Sequence, residues 1–587
     1  MKTGGSFLVQ PVGSEPVFTR EDFTEEMLEI SGMVDDFVKE RLLPTREAID
    51  KFDPELTRQL FNEAAELGLL GIEVPEAYGG MEMGNVISAL LAEKVGSSTS
   101  SFITTFLAHV GIGTLPLVWW GSEDLKKRYL TKLATGEWMG AYALTEPSAG
   151  SDALSGKTTA FLSEDGKHYI LNGNKQFITN GSWAQIFTVF AKVNGEKFTA
   201  FMVERDTAGF VIGPEEKKMG IKGSSTTSIT LDNVKIPVEN LLGEIGRGHE
   251  IAFGVLNVGR FKMGAATLGG GKQALKEAIR YAKERRQFGE PIAHFDAIKE
   301  KIADMTTALY GLDSIVYRTV YDTEKEAQTV PADSPYHGKL IGKALEKYAI
   351  EDSIAKVFGS ESLGRIADEG LQIHGGYGFT EEYPFAGFYR NTRIDRIYEG
   401  TNEINRQIIT GYFLKKALLE ELPIREKLRN VPGILKEIDD LYYGDLLRRE
   451  KQSLELAKHL TMLVLHEAIC KFGQAMRTEH QLMEIIADML IHLYLVDSTL
   501  ARVSQRNEKG MPIDIQKKIA QTLSSESMYQ ISTLAMKGIT NLLVGDALKG
   551  SLEIVESFIR RMVIPRDLFT LKREIAEDII NKEEYNY

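Results

Sequence analysis

A chain of 587 residues is longer than one hydrophobic core usually serves, so about three to four domains are expected. Its 43% hydrophobic and 26% charged content is that of an ordinary globular protein. With 83 acidic against 69 basic side chains the net charge is −14, which argues against nucleic acid as a partner, since phosphates need a basic face.

No uninterrupted apolar run is long enough to span a bilayer; even LTMLVLHEAI (460–469) stops short and carries His466 and Glu467. Basic-apolar content is local, at 558–566, so at most peripheral membrane contact is expected. The opening MKTGGSFLVQPVGSEPVF lacks the apolar core of a signal peptide and the Arg-rich pattern of a transit peptide, which points to a cytoplasmic location. The single cysteine, Cys470, leaves no internal disulfide and no cysteine-based metal site, and no metal is expected.

After a leader punctuated by Gly and Pro, residues from about 23 to 140 read as helical. Met27, Ile30, Val34, Phe37 and Val38 recur at helical spacing, as do Leu60, Ala64, Leu67 and Leu70. VPEAYGG (74–80) interrupts this run. From Tyr142 to about Gly243 the chain is rich in β-branched and aromatic residues, with hairpin turns signalled at Asn172-Gly173 and Asn194-Gly195. TVFAKV (188–193), FMV (201–203) and SITLDNVKI (228–236) have strand character, the last ending at Pro237. Helices return from about 246 to 416, where Leu275, Ile279 and Ala282 line one face and Lys276, Glu277, Lys283 and Glu284 point elsewhere. Gly269 to Gly271 read as a place of close helix packing. The remainder, 417–587, passes the Pro-marked stretch LRNVPGI (428–434), is again helical and carries no obvious chemistry.

Two segments carry the chemistry. YALTEPSAGSD (142–152) offers the hydroxyls of Thr145, Ser148 and Ser151 at a turn that Pro147 enforces and Gly150 leaves open, a bed for a flat heterocycle and a phosphate. IYEGTNEI (397–404) sets Glu399 between Tyr398 and Gly400, ahead of a helix with Thr401 as cap and Glu403 in its first turn. Ile404, Ile408, Ile409 and Tyr412 are placed on one face of that helix. A neighbouring aromatic and glycine point to a pocket, where desolvation raises a carboxyl toward a useful base. The bland alternatives are a border turn and a solvated loop carboxylate.

Three further segments are read both ways. In NKQFITNG (174–181), period-2 geometry puts Phe177 and Thr179 on one strand face, so that one covers a ring and the other bonds it; otherwise they are a core Phe and a surface Thr. ERRQFG (284–289) ends a long helix with two arginines, either a diphosphate clamp or cations favoured by the helix dipole. QIHGGYGF (372–379) has three glycines, of which a helix C-cap explains one; the others are crowded against a ligand or another subunit, and His374 makes polar contacts.

Together these segments resemble the acyl-CoA dehydrogenases, FAD enzymes of fatty-acid β-oxidation. The likeness covers about 25–415 in consistent order: VPEAYGG, YALTEPSAGSD, KQFITNG, KKMGIKGSSTTSI (217–229), IPVENLLGE (236–244), ERRQFG, QIHGGYGF and IYEGTNEI. The C-terminal extension and LNVGRFKMG (256–264) look most like the very-long-chain members. The implied fold class is α+β and multidomain: an N-terminal α-helical domain (1–140), a middle β-barrel (141–245), a C-terminal four-helix bundle (246–416) and an additional C-terminal helical domain (417–587).

The resemblance also implies roles. Glu399 matches the catalytic base; branches that carry the base on the bundle helix would place it at Gly259, which cannot act as one. Leu144, Thr145, Gly150 and Ser151 match contacts to the flavin and its phosphates, Phe177 stands where many members have Trp, and Ile178 and Thr179 lie beside it. Arg285, Gln287, Phe288, Gln372, Gly375 and Gly376 match positions that hold the FAD of the neighbouring subunit, and Thr401 and Glu403 match further FAD contacts. Ser151, Asn257, Arg260, Tyr398 and Gly400 match acyl-CoA contacts.

In the implied reaction Glu399 takes a proton from Cα of the thioester while a hydride leaves Cβ for the flavin. The carbonyl is polarised by the Glu399 backbone N–H and a ribityl hydroxyl, worth roughly 3–4 kcal/mol per lost donor by analogy. Electrons then pass to an electron-transfer flavoprotein. Pocket depth selects chain length at about 0.8 kcal/mol per CH₂. In HVGIGTLP (109–116), Gly111 and Gly113 either leave room for a long tail or serve helix packing, and Pro116 departs from a glycine of the very-long-chain pattern. The extension implies a homodimer in place of the usual homotetramer, or contact with a membrane surface. The competing readings are an acyl-CoA oxidase or flavin hydroxylase on the same scaffold, and a non-catalytic assembly protein.

Overall fold

In a computed structural model of the chain, residues 3–334, 336–429 and 431–587 are described; Met1 and Lys2 of the leader, Pro335, and Asn430 of the 428–434 stretch lie outside them. Sequence-supplied caps start the N-terminal helices. Thr24 accepts from Met27 N to open Glu25–Phe37, Asp53 from Leu56 N to open Pro54–Glu66, and Ser122 from Leu125 N to open Glu123–Ala134. Asn85–Gly96 and Ser100–Leu107 complete this layer, and the latter continues through a π-helical turn, Ala108–Gly113, into Leu115–Trp120. The expectation that no stretch could cross a bilayer needs correction here. Ser100–Trp120 is long and apolar enough by length and composition alone, with Ser, Thr and His109 diluting but not breaking its apolar character. Within the fold it is a core segment, most of it buried.

The middle region is one sheet of eight strands: β1 Gly140–Ala143, β2 Thr159–Leu162, β3 His168–Thr179, β4 Ile186–Val193, β5 Lys197–Glu204, β6 Phe210–Glu215, β7 Thr226–Pro237 and β8 Leu241–Leu242. Backbone pairing runs β6-β7-β3-β2-β4-β5-β8, with β1 beside β4. β1 and β2 both lie parallel to β4, and the other pairs are antiparallel. Asn194 and Gly195, both at positive φ (54° and 77°), make the expected β4–β5 turn. Asn172-Gly173 does not turn the chain. It is a bulge inside β3, where a Cβ on Gly173 would stand 2.4 Å from Thr158 Oγ1, so the glycine serves strand approach.

The bundle consists of Gly248–Glu284, Asp296–Ala327, Ala349–His374 and Asn402–Leu418. Leu275, Ile279 and Ala282 are buried as the periodicity requires. The face of Asn402–Leu418 is rotated from the expected one: Ile409 is buried, but Ile404, Ile408 and Tyr412 are only half-buried. Asn402, Asn405, Thr410 and Phe413 go inside instead, because Asn405 bonds the carbonyls of the preceding turn and Thr410 bonds Met483 O. Beyond the bundle, Arg448–Phe472, His480–Glu508, Asp514–Leu542, Gly545–Met562 and Leu568–Lys582 form the extra helical region.

The leader is a structural strap. Phe7 packs between Phe413 and Tyr494, with ring centroids 5.7 Å and 4.8 Å away, and Gly5 N donates to the buried Glu351 carboxylate at 2.7 Å. Arg20 reaches Glu93 at 2.5 Å and Asp313 at 3.0 Å, Lys272 bonds both acids, and Glu21 pairs with Arg502. One buried charge cluster thereby joins leader, N-terminal helices, bundle and extension. The expected glycine packing also holds: a Cβ on Gly269 would stand 1.8 Å from Glu93 O, whereas one on Gly270 would meet nothing closer than 3.5 Å. Gly269→Ala should therefore destabilise by about 1–3 kcal/mol through overpacking. Gly270→Ala should be neutral or gain up to about 1 kcal/mol from helix propensity; thermal unfolding of the two variants compares them.

Candidate active site

A cleft of about 910 Å³, counted to its open mouth, runs between the helix that begins at Ser100 and the Gly248–Glu284 helix. Ile103, Leu107, Ala108, Gly111 and Ile112 face Met263, Ala266, Thr267 and Gly270 across it. Glu399, Tyr398, Thr179 and Gly259 also line it. The π-helical turn at 108–113 widens the wall on one side. Gly111 leaves open space beside it: a Cβ there would come no closer than 4.0 Å to Lys262 Nζ. Gly113 serves the other alternative, packing, since its Cβ would collide with Ala108 O and Gly140.

Glu399 is held in a strained conformation, with φ 55° followed by 80° at Gly400. Its carbonyl, with those of Gly400 and Thr401, accepts from Asn405 Nδ2 at 2.8–3.4 Å. Lys356 Nζ donates to Gly400 O and Asn402 Oδ1, each at 2.8 Å, from the adjacent Ala349–His374 helix. Thr401 caps the following helix by accepting from Ile404 N. The Glu399 carboxylate then lies over Gly259, where a Cβ would stand 2.3 Å from Oε2. Oε2 is buried and takes no hydrogen bond, and the Glu399 backbone N–H makes none among the described residues. Burial pushes this carboxyl up to about 7, although the charges of Arg260, Lys356 and Lys262 pull against it.

The expected cofactor bed lies at the end of β1. Leu144 O accepts from Lys175 Nζ, Thr145 O accepts from Gln176 N at 2.9 Å, and Glu146 is pinned by Lys175 at 2.7 Å and by the N–H groups of Lys157 and Thr158. The turn is thus fixed from behind, while the hydroxyls of Thr145, Ser151 and Thr179 take no hydrogen bond from the described residues. Gly150 faces open space. The period-2 pairing of Phe177 with Thr179 fails, because β3 bulges between Lys175 and Ile178 and Phe177 sits at φ 58°. Phe177 is 63% exposed, Thr179 lines the cleft, and the Ile178 side chain is buried in the β core, leaving only its backbone for a ligand. Free hydroxyls, an open glycine and an uncovered aromatic face suit a flavin with its phosphates, so the residues present fit FAD.

The other predicted FAD contacts form a separate patch. Arg285 lies over the Tyr377 ring at 5.6 Å, Tyr281 stacks on His374 at 4.0 Å, and His374 Nδ1 bonds Gly370 O, the polar contact expected of it. Phe288 is 95% exposed, and Gly375 and Gly376 have nothing within 4 Å of a built Cβ. Arg285, Gln287, Phe288, Gln372, Gly375 and Gly376 do not line the cleft of their own chain, nor do Thr401 and Glu403. Asn257 and Arg260 are buried and bonded to each other at 2.5 Å, outside the cleft lining; the half-buried Gly400 and the exposed Ser151 do not line it either.

Several site residues have no motif to mark them. Asp395 lines the cleft, accepts from the Tyr398 hydroxyl at 2.7 Å and is pushed by burial up to about 7. Lys262 pairs with Glu73 at the cleft wall. Lys356 could have been found, because helical spacing places it with Ala349, Ser353 and Ser360 on a face that is otherwise small and buried.

Family models match the acyl-CoA dehydrogenase N-terminal domain over 24–137, the middle domain over 141–234 and the C-terminal domain over 246–412; a second C-terminal-domain model of that family matches 456–557. The chain is 43% identical over 592 residues to a probable acyl-CoA dehydrogenase of Bacillus subtilis (strain 168), covering 100% of this chain and 98% of that protein. It is 34% identical over 537 residues to the very long-chain specific acyl-CoA dehydrogenase, mitochondrial, of Homo sapiens, covering 86% and 79%. The crystal structure of an acyl-CoA dehydrogenase complexed with FAD from Bacillus anthracis matches with a TM-score of 0.96 at 43% identity, over 100% of both chains. With three domains and the extension matched in order, the chain belongs to the acyl-CoA dehydrogenase family of FAD-dependent oxidoreductases.

Proposed function

We propose that the protein converts long-chain fatty acyl-CoA thioesters to trans-2-enoyl-CoA in fatty-acid β-oxidation, with Glu399 as base and an electron-transfer flavoprotein as acceptor. The observation that carries this reading is the unpaired Glu399 Oε2 at the head of an apolar cleft. Bound FAD supplies the two-electron acceptor. Glu399, ionised, takes the α-proton, and its unbonded N–H is free to hold the thioester carbonyl as negative charge develops there. Arg260, bonded to Asn257, acts on the thioester end through its charge near Glu399. Gly259 to Gly270 spans eleven helical steps, about 16 Å of wall, and a four-carbon tail would leave most of it empty. That length, with the very-long-chain relative, supports a long-chain substrate.

The site is completed by a second copy in this reading. Arg285, Gln287, Phe288, Gln372, Gly375 and Gly376 would hold the partner's FAD, which gives the exposed Phe288 ring a cover. Thr145, Ser151, Phe177 and Thr179 would hold the chain's own flavin, with Leu144, Gly150 and the Ile178 backbone shaping its bed. Thr401 and Glu403 stand ready to add contacts at the helix start.

Anaerobic mixing with acyl-CoAs of graded length should bleach the flavin fastest with long tails, and Glu399→Gln should slow bleaching roughly 10²–10⁴-fold. A yellow protein that no acyl-CoA bleaches would remove the substrate assignment. Because Glu399 acts only when ionised, the bleaching rate should rise through about pH 7 and level off above it. Gly259→Ala should cost about tenfold or more in rate while FAD content stays intact, since the new Cβ would occupy the carboxylate's place 2.3 Å from Oε2. Stopped-flow reduction of the FAD-loaded enzyme measures each of these rates.

A further inference from the structure

Lys356 is fully buried on the Ala349–His374 helix, beneath the turn that presents Glu399. Its ammonium donates to Gly400 O and to Asn402 Oδ1, each at 2.8 Å. Asn402 is in turn fixed by Ser360 and by Glu361 at 3.0 Å. Two consecutive left-handed residues, Glu399 and Gly400, direct the Gly400 carbonyl inward to this lysine. A buried ammonium needs partners and compensating charge. Its hydrogen-bond partners are a carbonyl and an amide, both neutral, so compensation must come from carboxylates nearby. Glu399 and Asp395, both at the cleft, are the largest such influences on it, with Glu361 adding to them and Arg260 opposing.

We propose that Lys356 is a positioning residue that locks the turn carrying Glu399 and supplies the counter-charge for its ionised form. This rests on Glu399 being the base. The groups facing Glu399 are Arg260 and Lys262 from the Gly248–Glu284 helix, Tyr142 from β1, Tyr398 from its own turn and Lys356 from below. Of the three cations, Lys262 is paired with Glu73, while Arg260 is bonded to the neutral Asn257 and, like Lys356, makes no carboxylate salt bridge among the described residues. Lys356 has no carboxylate salt-bridge partner of its own among the described residues, it alone of the three is bonded to the turn that carries Glu399, and Glu399 is the carboxylate that acts on it most strongly. Asn405 also holds the turn but carries no charge.

The test is the pH dependence of flavin reduction in FAD-loaded enzyme with a long-chain acyl-CoA. Lys356→Met should move the acid limb up by about one pH unit and lower the limiting rate, because loss of a nearby cation disfavours the carboxylate. Lys356→Arg should keep the limb near its original place. Asn405→Leu, which loosens the turn without changing charge, should lower the rate and leave the limb unmoved. If Lys356→Met does not fold, Lys356→Gln carries the same prediction. An acid limb that stays in place in the neutral variant, while Glu399→Gln is inactive, overturns the proposal alone. A Glu399→Gln enzyme that retains its rate overturns the base assignment, and the proposal with it.

Discussion

The space above Gly259 is the constraint on which the site depends. The carboxylate comes from a loop and the cleft wall from a helix, and both can occupy one place only because residue 259 has no side chain. The same helix repeats this device along its length. Gly254 admits Trp120, Gly264 admits Ala355 and Gly269 admits the Glu93 carbonyl. Each glycine costs the helix about 1 kcal/mol of propensity. The return is a central rod approached closely by the N-terminal helices, by the neighbouring bundle helix and by the Glu399 carboxylate.

Electrostatics then decides what Glu399 can do. Desolvation alone would keep it protonated, and the surrounding cations alone would make it a weak base. The two effects oppose each other and leave the carboxyl near neutrality. Of the three cations around it, Lys262 is salt-bridged to Glu73; elsewhere in the fold Arg20, Lys272, Glu93 and Asp313 pair among themselves. That cluster ties the leader and the extension to the bundle, so the helices bordering the cleft are braced from the side away from solvent.

Much of this was legible in the sequence because it was local. The cap at Thr401, the Asn194-Gly195 turn and the Leu275, Ile279, Ala282 stripe follow from spacing and residue type. Glu399 was found from its neighbours. What local pattern missed is set by long-range contact. Asn172-Gly173 has the composition of a turn but lies mid-strand, where Thr158 approaches. Phe177 leaves its expected face because a bulge adds a residue to β3. The Asn402–Leu418 helix buries asparagines because the turn before it needs donors. The leader read as punctuation, yet its Phe7, Arg20 and Glu21 find partners hundreds of residues away.

In the proposed reaction Glu399 meets the reacting carbon at the head of a tail-binding cleft. A crystal structure with FAD and a non-oxidisable long-chain acyl-CoA thioester analogue tests it most directly. It should place a Glu399 carboxylate oxygen within contact of the thioester Cα, the carbonyl oxygen on the Glu399 N–H, and the tail between Leu107 and Ala266 toward Gly270. An analogue whose Cα lies away from Glu399, or whose tail runs outside this cleft, would contradict it.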